Sequence, residues 1–180
     1  MNSLNQKILI VDDIEDNRFT LERRLSRNGY TAISQADCGK KALELVKEES
    51  FDLILLDLMM PDISGLAVLK TLKADPKNRS IPVVMVTAAD EIETTAECIS
   101  NGAEDYITKP INATLLKARV TACLEKKRFR DSEEHYLSKV EADKKRTQSF
   151  LKQILPEKIA EELNSSGLVR PRKYEDIAIL

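Results

Sequence analysis

Five short apolar runs, each closed by a polar residue and most followed by a stretch of helical periodicity, constrain this chain more than any other feature. The central one is Phe51-Asp52-Leu53-Ile54-Leu55-Leu56-Asp57, an apolar run that stops in a carboxylate. Runs of this kind, bounded by turn signals, read as strands buried on both faces of a parallel sheet. Lys7 to Val11 is another, ended by Asp12-Asp13. Tyr30 to Ser34 reads as the second strand, Ile81 to Thr87 as the fourth, and Asp105-Tyr106-Ile107 as a short fifth closed by Lys109-Pro110. Pro82 sits near the start of its run, where a strand tolerates it. Between the runs lie helical stretches. The first carries Phe19, Leu21 and Leu25 and stops at Asn28-Gly29. The second spans Lys40 to Glu49, with Ala42, Leu43 and Val46 inward. The third covers Leu66 to Leu72, the fourth about Glu91 to Ser100, and a fifth starts near Asn112.

This alternation calls for an α/β architecture, a parallel sheet with helices on both faces. Right-handed crossovers leave few topologies, and the flavodoxin-like strand order 2-1-3-4-5 is the common five-stranded solution. In that order strands 1, 3, 4 and 5 are neighbours. Asp12, Asp13, Asp57, Thr87 and Lys109 then converge on the edge where open α/β sheets bind ligands. Three crowded carboxylates repel one another unless a cation is present, and a hard divalent ion such as Mg²⁺ resolves the conflict. Lys109 adds a positive charge and Thr87 a hydroxyl. A carboxylate nucleophile, a metal, a cation and a hydrogen-bond donor are the parts of a phosphoryl-accepting site. Taken singly, each residue has a plainer reading. Asp13 and Thr87 fit helix caps, and Lys109 fits a solvated strand end.

Composition sets the context. With a formal net charge of -2, bulk electrostatics favour neither nucleic acid nor an anionic membrane as partner. No apolar run approaches the roughly 18 residues that span a bilayer. The N-terminus lacks the basic and apolar regions of a signal peptide. Cys38, Cys98 and Cys123 are odd in number and scattered, which suits reduced thiols in a cytoplasmic protein better than disulfides or a zinc site. His135 lies in a charged stretch and reads as solvated.

Residues 6 to 125 resemble the receiver domain of two-component response regulators. The resemblance is carried by Ile10-Val11-Asp12-Asp13, by Asp57-x-x-Met60-Pro61-x-x-x-Gly65, by Thr87-Ala88 and by Lys109-Pro110. It implies that Asp57 is the phosphoacceptor, and that Asp12, Asp13, Asp57 and the backbone carbonyl of Met59 hold Mg²⁺. It implies that Thr87 and Lys109 contact the phosphoryl group, with a cis Lys109-Pro110 peptide. Tyr106 matches the aromatic switch position that moves inward as Thr87 moves towards the phosphate. The donor would be a sensor histidine kinase, a phosphotransfer protein or a small phosphodonor.

The chain is expected to divide into a receiver over residues 1–125, a signalling helix over 126–155, and a linker with the start of an output domain over 156–180. No helix breaker interrupts Asn112 to Leu155, and the composition turns strongly charged beyond Glu125. Glu141 and Lys145, and Lys139 and Asp143, stand at i,i+4. Leu137, Val140, Leu151 and Ile154 fit a coiled-coil seam interrupted by Lys144 and Thr147, which predicts a parallel homodimer of modest strength. A solitary charged linker helix is the alternative. Beyond Pro156, Leu-Pro-x-x-Ile-Ala-x-x-Leu and Tyr174-Glu-Asp-Ile-Ala-Ile-Leu180 resemble the lead-in to class III nucleotide cyclases, cut at the first catalytic strand. That implies a receiver controlling adenylate or guanylate cyclase activity, with no catalytic cyclase residue before Leu180. Other outputs are a diguanylate cyclase or a DNA-binding domain, although the stretch after the receiver holds no compact basic helix-turn-helix. An Asp-nucleophile phosphatase is disfavoured, because that chemistry wants a second acid where Met59 stands.

Overall fold

The computed structural model describes residues 6–88 and 92–154, with backbone alone at 92, 93, 95 and 151–154. Five strands alternate with five helices: β1 Ile8–Val11, α1 Glu15–Arg27, β2 Ile33–Ala36, α2 Gly39–Glu48 and β3 Leu53–Asp57 come first. They are followed by α3 Gly65–Ala74, β4 Val83–Thr87, α4 Ile92–Ser100, β5 Asp105–Thr108 and α5 Ala113–Ile154. The strands pair in parallel in the order β2-β1-β3-β4-β5, the flavodoxin-like arrangement.

Side chains alternate across the sheet, so each apolar strand feeds two cores. Leu9, Val11, Ile54, Leu56, Val83 and Met85 face one side and pack with Ala42 and Val46 of α2, Val68, Leu69 and Leu72 of α3, and Cys98 of α4. Ile8, Ile10, Leu53, Leu55, Val84, Val86 and Ile107 face the other. There they meet Leu21 and Leu25 of α1 and Leu116, Val120, Cys123 and Leu124 of α5. Two-sided burial explains why the strand sequences are continuous apolar runs rather than alternating ones. Cys38, Cys98 and Cys123 form no disulfide.

The second strand begins later than the sequence suggests, at Ile33 rather than Tyr30. Tyr30 instead closes α1: its N–H donates to the Leu25 carbonyl at 3.2 Å, just after Gly29 takes a positive φ of 91°. The Tyr30 ring is buried in the α1–α5 core. Phe19 sits in the periodic pattern of α1 yet is 59% exposed, while Leu21 and Leu25 are buried.

Two compact units divide the chain, Met1–Arg130 and Asp131–Leu180. The helix α5 is continuous from Ala113 to Ile154, and Leu124 is its last fully buried apolar side chain in the first unit. Leu137 and Val140 are exposed on the single chain. The side chains of Leu151 and Ile154, and all of residues 155–180, lie outside the described residues. No helix among the described residues is long and apolar enough to cross a membrane.

Candidate functional site

The sheet register brings the strand ends together. Val11 pairs with Leu56, Asp57 with Val86, and Thr87 with Thr108, so each strand releases its next side chain at nearly the same level. The Lys109 N–H donates to the Thr87 carbonyl at 2.7 Å, carrying the register one residue past β5. Lys109 Nζ then lies 3.0 Å from Asp12 Oδ2 and 2.9 Å from Asp57 Oδ1. Asp12 and Asp57 are buried, and Lys109 is mostly covered. These two charge-assisted bonds give Lys109 a fixed place at the centre of the site. The solvated strand-end reading does not apply to it.

Asp12, Asp13 and Asp57 each present a carboxylate oxygen within 4.8 Å of the others. Burial is the largest influence on Asp57 and pushes its pKa up to about 6, the charges of Asp12 and Asp13 adding to the rise while Lys109 opposes it. Burial also works against the charge on Lys109, but its bonds to Asp57 and Asp12 hold its pKa above the ordinary value. Neither helix-cap reading describes the structure. Ile14, not Asp13, is the N-cap residue of α1. Thr87 is 1% exposed, and its Oγ1 is buried without a hydrogen-bond partner among the described residues. A buried hydroxyl left unpaired is unfavourable by about 1–3 kcal/mol, so an absent acceptor at this spot is a physical expectation. Three convergent oxygens suit a hard divalent cation, and the orphaned hydroxyl of Thr87, a residue bonded to Lys109 through the backbone, suits a phosphoryl oxygen.

The loop after β3 folds back tightly. Leu58 is buried and Met59, directly after it, is 65% exposed. Gly65 N–H then donates to the Leu58 carbonyl at 2.9 Å, and a Cβ on Gly65 would stand 2.0 Å from the Asp57 carbonyl oxygen. The Lys109-Pro110 peptide is cis, as the resemblance implies. Tyr106 is 41% exposed on β5.

Three polar residues that spacing did not single out complete the architecture. Asn17 Nδ2 donates to both carboxylate oxygens of Asp12 at 3.0 Å, and Ile14 N–H donates to Oδ1 at 2.9 Å. Arg18 Nη1 donates to the carbonyls of Asp12 and Asp13, fixing the acidic pair's backbone. Asp62 accepts from the N–H groups of Gly39 and Lys40, and the bond from Lys40 leads the influences that hold its pKa down to about 2. It caps α2 from the β3–α3 loop. Their signal was available in part: Asn17 and Arg18 lie in the first turn after the acidic pair.

Residues 8–121 match the family model described as the response regulator receiver domain. The chain is 43% identical over 117 residues to response regulator PleD of Caulobacter vibrioides, covering 65% of this chain and 26% of PleD. It is 36% identical over 155 residues to a cyclic di-GMP phosphodiesterase of Thermotoga maritima, covering 86% of this chain and 38% of that protein. It therefore spans well under half the length of both relatives. Chemotaxis protein CheY-3 of Vibrio cholerae is 35% identical over 122 residues, covering 68% of this chain and 94% of CheY-3. Among solved structures, a putative response regulator from Chloroflexus aurantiacus superposes with a TM-score of 0.65 at 30% identity, over 67% of this chain and 98% of that one.

Proposed function

The chain belongs to the response regulator receiver domain family, and from that membership we propose that Asp57 accepts a phosphoryl group from a histidine kinase, a phosphotransfer protein or a small phosphodonor. The observation that carries the reading is the buried pair around Lys109: a carboxylate nucleophile held 2.9 Å from a cation, with a buried hydroxyl that has no partner among the described residues at the end of the neighbouring strand β4. A carboxylate oxygen of Asp57 forms a bond to phosphorus as the bond from phosphorus to the leaving imidazole or acetate breaks. Lys109 neutralises charge on the transferred group, and the Thr87 hydroxyl donates to one of its oxygens. Asp12, Asp13, Asp57 and the Met59 carbonyl would hold Mg²⁺. Bound there, the ion would neutralise charge on the phosphoryl oxygens. Asn17 and Arg18 position the Asp12–Asp13 corner.

Acetyl phosphate with Mg²⁺ is expected to give a single phosphoryl adduct by intact-mass measurement, and none in Asp57→Asn. An adduct of equal yield in that variant would refute the assignment. The same test with Lys109 or Thr87 intact but Mg²⁺ removed by EDTA is expected to give no adduct.

Phosphorylation is proposed to reach the output through Thr87, Tyr106 and α5, whose Leu137, Val140, Leu151 and Ile154 would pair in a parallel homodimer. The exposure of Leu137 and Val140 on the lone chain supports this, since a long charged helix gains little stability by itself. Sedimentation over a concentration series is expected to show reversible dimers that Leu137→Glu dissociates. A monomer at every concentration leaves the solitary-linker reading in place.

The output proposed for a longer chain is a class III nucleotide cyclase, supported by the resemblance in residues 155–180. A second reading draws on the Thermotoga maritima phosphodiesterase, whose 155 matched residues exceed the length of the receiver. It makes the output an enzyme of cyclic di-GMP. Assay of the longer gene product separates them: cyclic mononucleotide from ATP or GTP supports the first, and cyclic di-GMP turnover the second.

A further inference from the structure

A cleft of about 530 Å³ opens between the C-terminal half of α1 and the first turns of α5. Arg23, Arg24, Arg27 and Asn28 line it from α1, and Thr114 and Lys117 from α5. It therefore gathers four cationic side chains and no carboxylate. Among the described residues, no ion pair involves any of the four. Its nearest wall is braced rather than loose. Arg24 Nη1 donates to the Ile111 carbonyl across the gap, and Asn28 Nδ2 donates to the Arg24 carbonyl at 2.9 Å. The Arg23 guanidinium lies 5.9 Å from the Phe19 ring centroid, a cation–π contact along the helix.

A solvated basic face accounts for part of this cluster. Arg24 and Arg27 complement the negative end of α1, where cations are favourable. Lys117 has no such account. It lies just past the first turn of α5, so the helix dipole gives it no stabilisation, and that turn holds no acid to pair with it. The arrangement gathers positive charge from two helices at one cleft with no ion pair to any of the four among the described residues. An anion bridging the helices relieves the repulsion. Guanidinium groups match phosphate oxygens in paired geometry, and the Thr114 hydroxyl adds a neutral donor at the rim. The volume falls within the range of about 300–1,000 Å³ typical of small-molecule sites. None of these residues belongs to the Asp57 cluster.

We propose that the α1–α5 cleft binds a small, multiply charged phosphate ester of nucleotide size, through Arg23, Arg27 and Lys117 with Arg24 as a braced wall. Such a ligand ties α1 to the first turns of the helix that leaves the domain. The test uses the full chain in EDTA, which removes divalent ions from the Asp57 cluster, with ATP and inorganic pyrophosphate as probes. Amide shifts in NMR titration are expected to saturate and to map to residues 23–28 and 113–117. The double variant Arg27→Glu, Lys117→Glu should bind about tenfold or more weakly, and because both positions are exposed the fold is expected to persist, which its circular dichroism checks. Its acetyl phosphate labelling at Asp57 should match wild type. Similar affinity for the two probes assigns recognition to the phosphates; tighter ATP binding adds a nucleoside contact, and both support the site. The proposal fails if neither probe saturates by about 1 mM, if the shifts map to Asp12, Asp57 and Lys109, or if the double variant binds equally well. A single-stranded oligonucleotide that displaces ATP at sub-stoichiometric concentration would likewise overturn it in favour of a polymer site.

Discussion

Gly65→Ala is expected to destabilise the domain by about 3 kcal/mol or more, at the upper end for overpacking a tight site. The added Cβ would stand 2.0 Å from the Asp57 carbonyl oxygen, 2.9 Å from its carbon and 3.0 Å from the Leu58 Cα. These are backbone atoms of a central strand and its exit, so no rotamer change relieves the clash. The strand cannot retreat either, because Asp57 is paired with Val86 of β4 and its side chain is bonded to Lys109. The Gly65 backbone conformation is not the constraint, as its φ lies outside the left-handed region; the constraint is space. Gly102→Ala makes the contrast. Its φ is +94°, and the nearest neighbours are flexible carbons of Lys73 from 3.3 Å, so it should lose only about 1–2 kcal/mol. Denaturant midpoints followed by circular dichroism compare the two. A Gly65→Ala midpoint equal to wild type would show that the 58–65 loop moves off the strand freely. Where Gly65→Ala still folds, the shift at Asp57 should also slow acetyl phosphate labelling, because a displaced nucleophile loses alignment.

This glycine illustrates what the sequence discloses and what it withholds. Asp12, Asp13, Asp57, Thr87 and Lys109 could be placed together from the sequence, because a strand-end position and a strand order suffice to locate them. Gly65 could be read only as loop punctuation and as a position of the motif that carries the resemblance, since a close approach between loop and strand has no periodic signature. Asn17 and Asp62 stayed hidden for a related reason: their bonds to Asp12 and to the start of α2 depend on side-chain direction, which spacing does not fix. Tyr30 misled through its strand propensity, when its burial beside α1 and its N–H bond to Leu25 hold it in the helix exit. Phe19 misled through periodicity, for it lies near the edge of the apolar stripe and faces outward beside Arg23. The apolar runs, in contrast, were legible because the central strands β1, β3 and β4 are buried along their whole length.

In metal-free solution, Asp57→Asn should be more stable than wild type at pH 7 by roughly 2–3 kcal/mol and should lose that advantage near pH 4. Burial raises the Asp57 pKa from 3.8 to about 6, with Asp12 and Asp13 contributing and Lys109 opposing. A carboxyl raised in the native state favours folding while it is protonated. Below about pH 4 both folded and unfolded chains hold the proton, and the contribution is fully present. Between about pH 4 and 6 the unfolded chain has released the proton and the native one has not, so stability falls as pH rises. Above about pH 6 the native domain carries a buried carboxylate near two others, and the contribution is gone. Asparagine keeps the shape and removes the charge. Asp62, whose pKa is held down to about 2, titrates in both proteins with the opposite sign, so the difference between them isolates Asp57. Lys109 retains its bond to Asp12 in the variant and so is not left unpaired. Adding Mg²⁺ should reverse the order at pH 7: the ion needs the ionised carboxylate, so it stabilises wild type more than Asp57→Asn. Thermal or urea unfolding in EDTA at pH 4 and 7, then with Mg²⁺ at pH 7, reads all three arms. A stability gap between the proteins that does not change from pH 4 to 7 would show that Asp57 titrates as an ordinary carboxylate. An absent Mg²⁺ effect on wild type would remove the ion from this cluster.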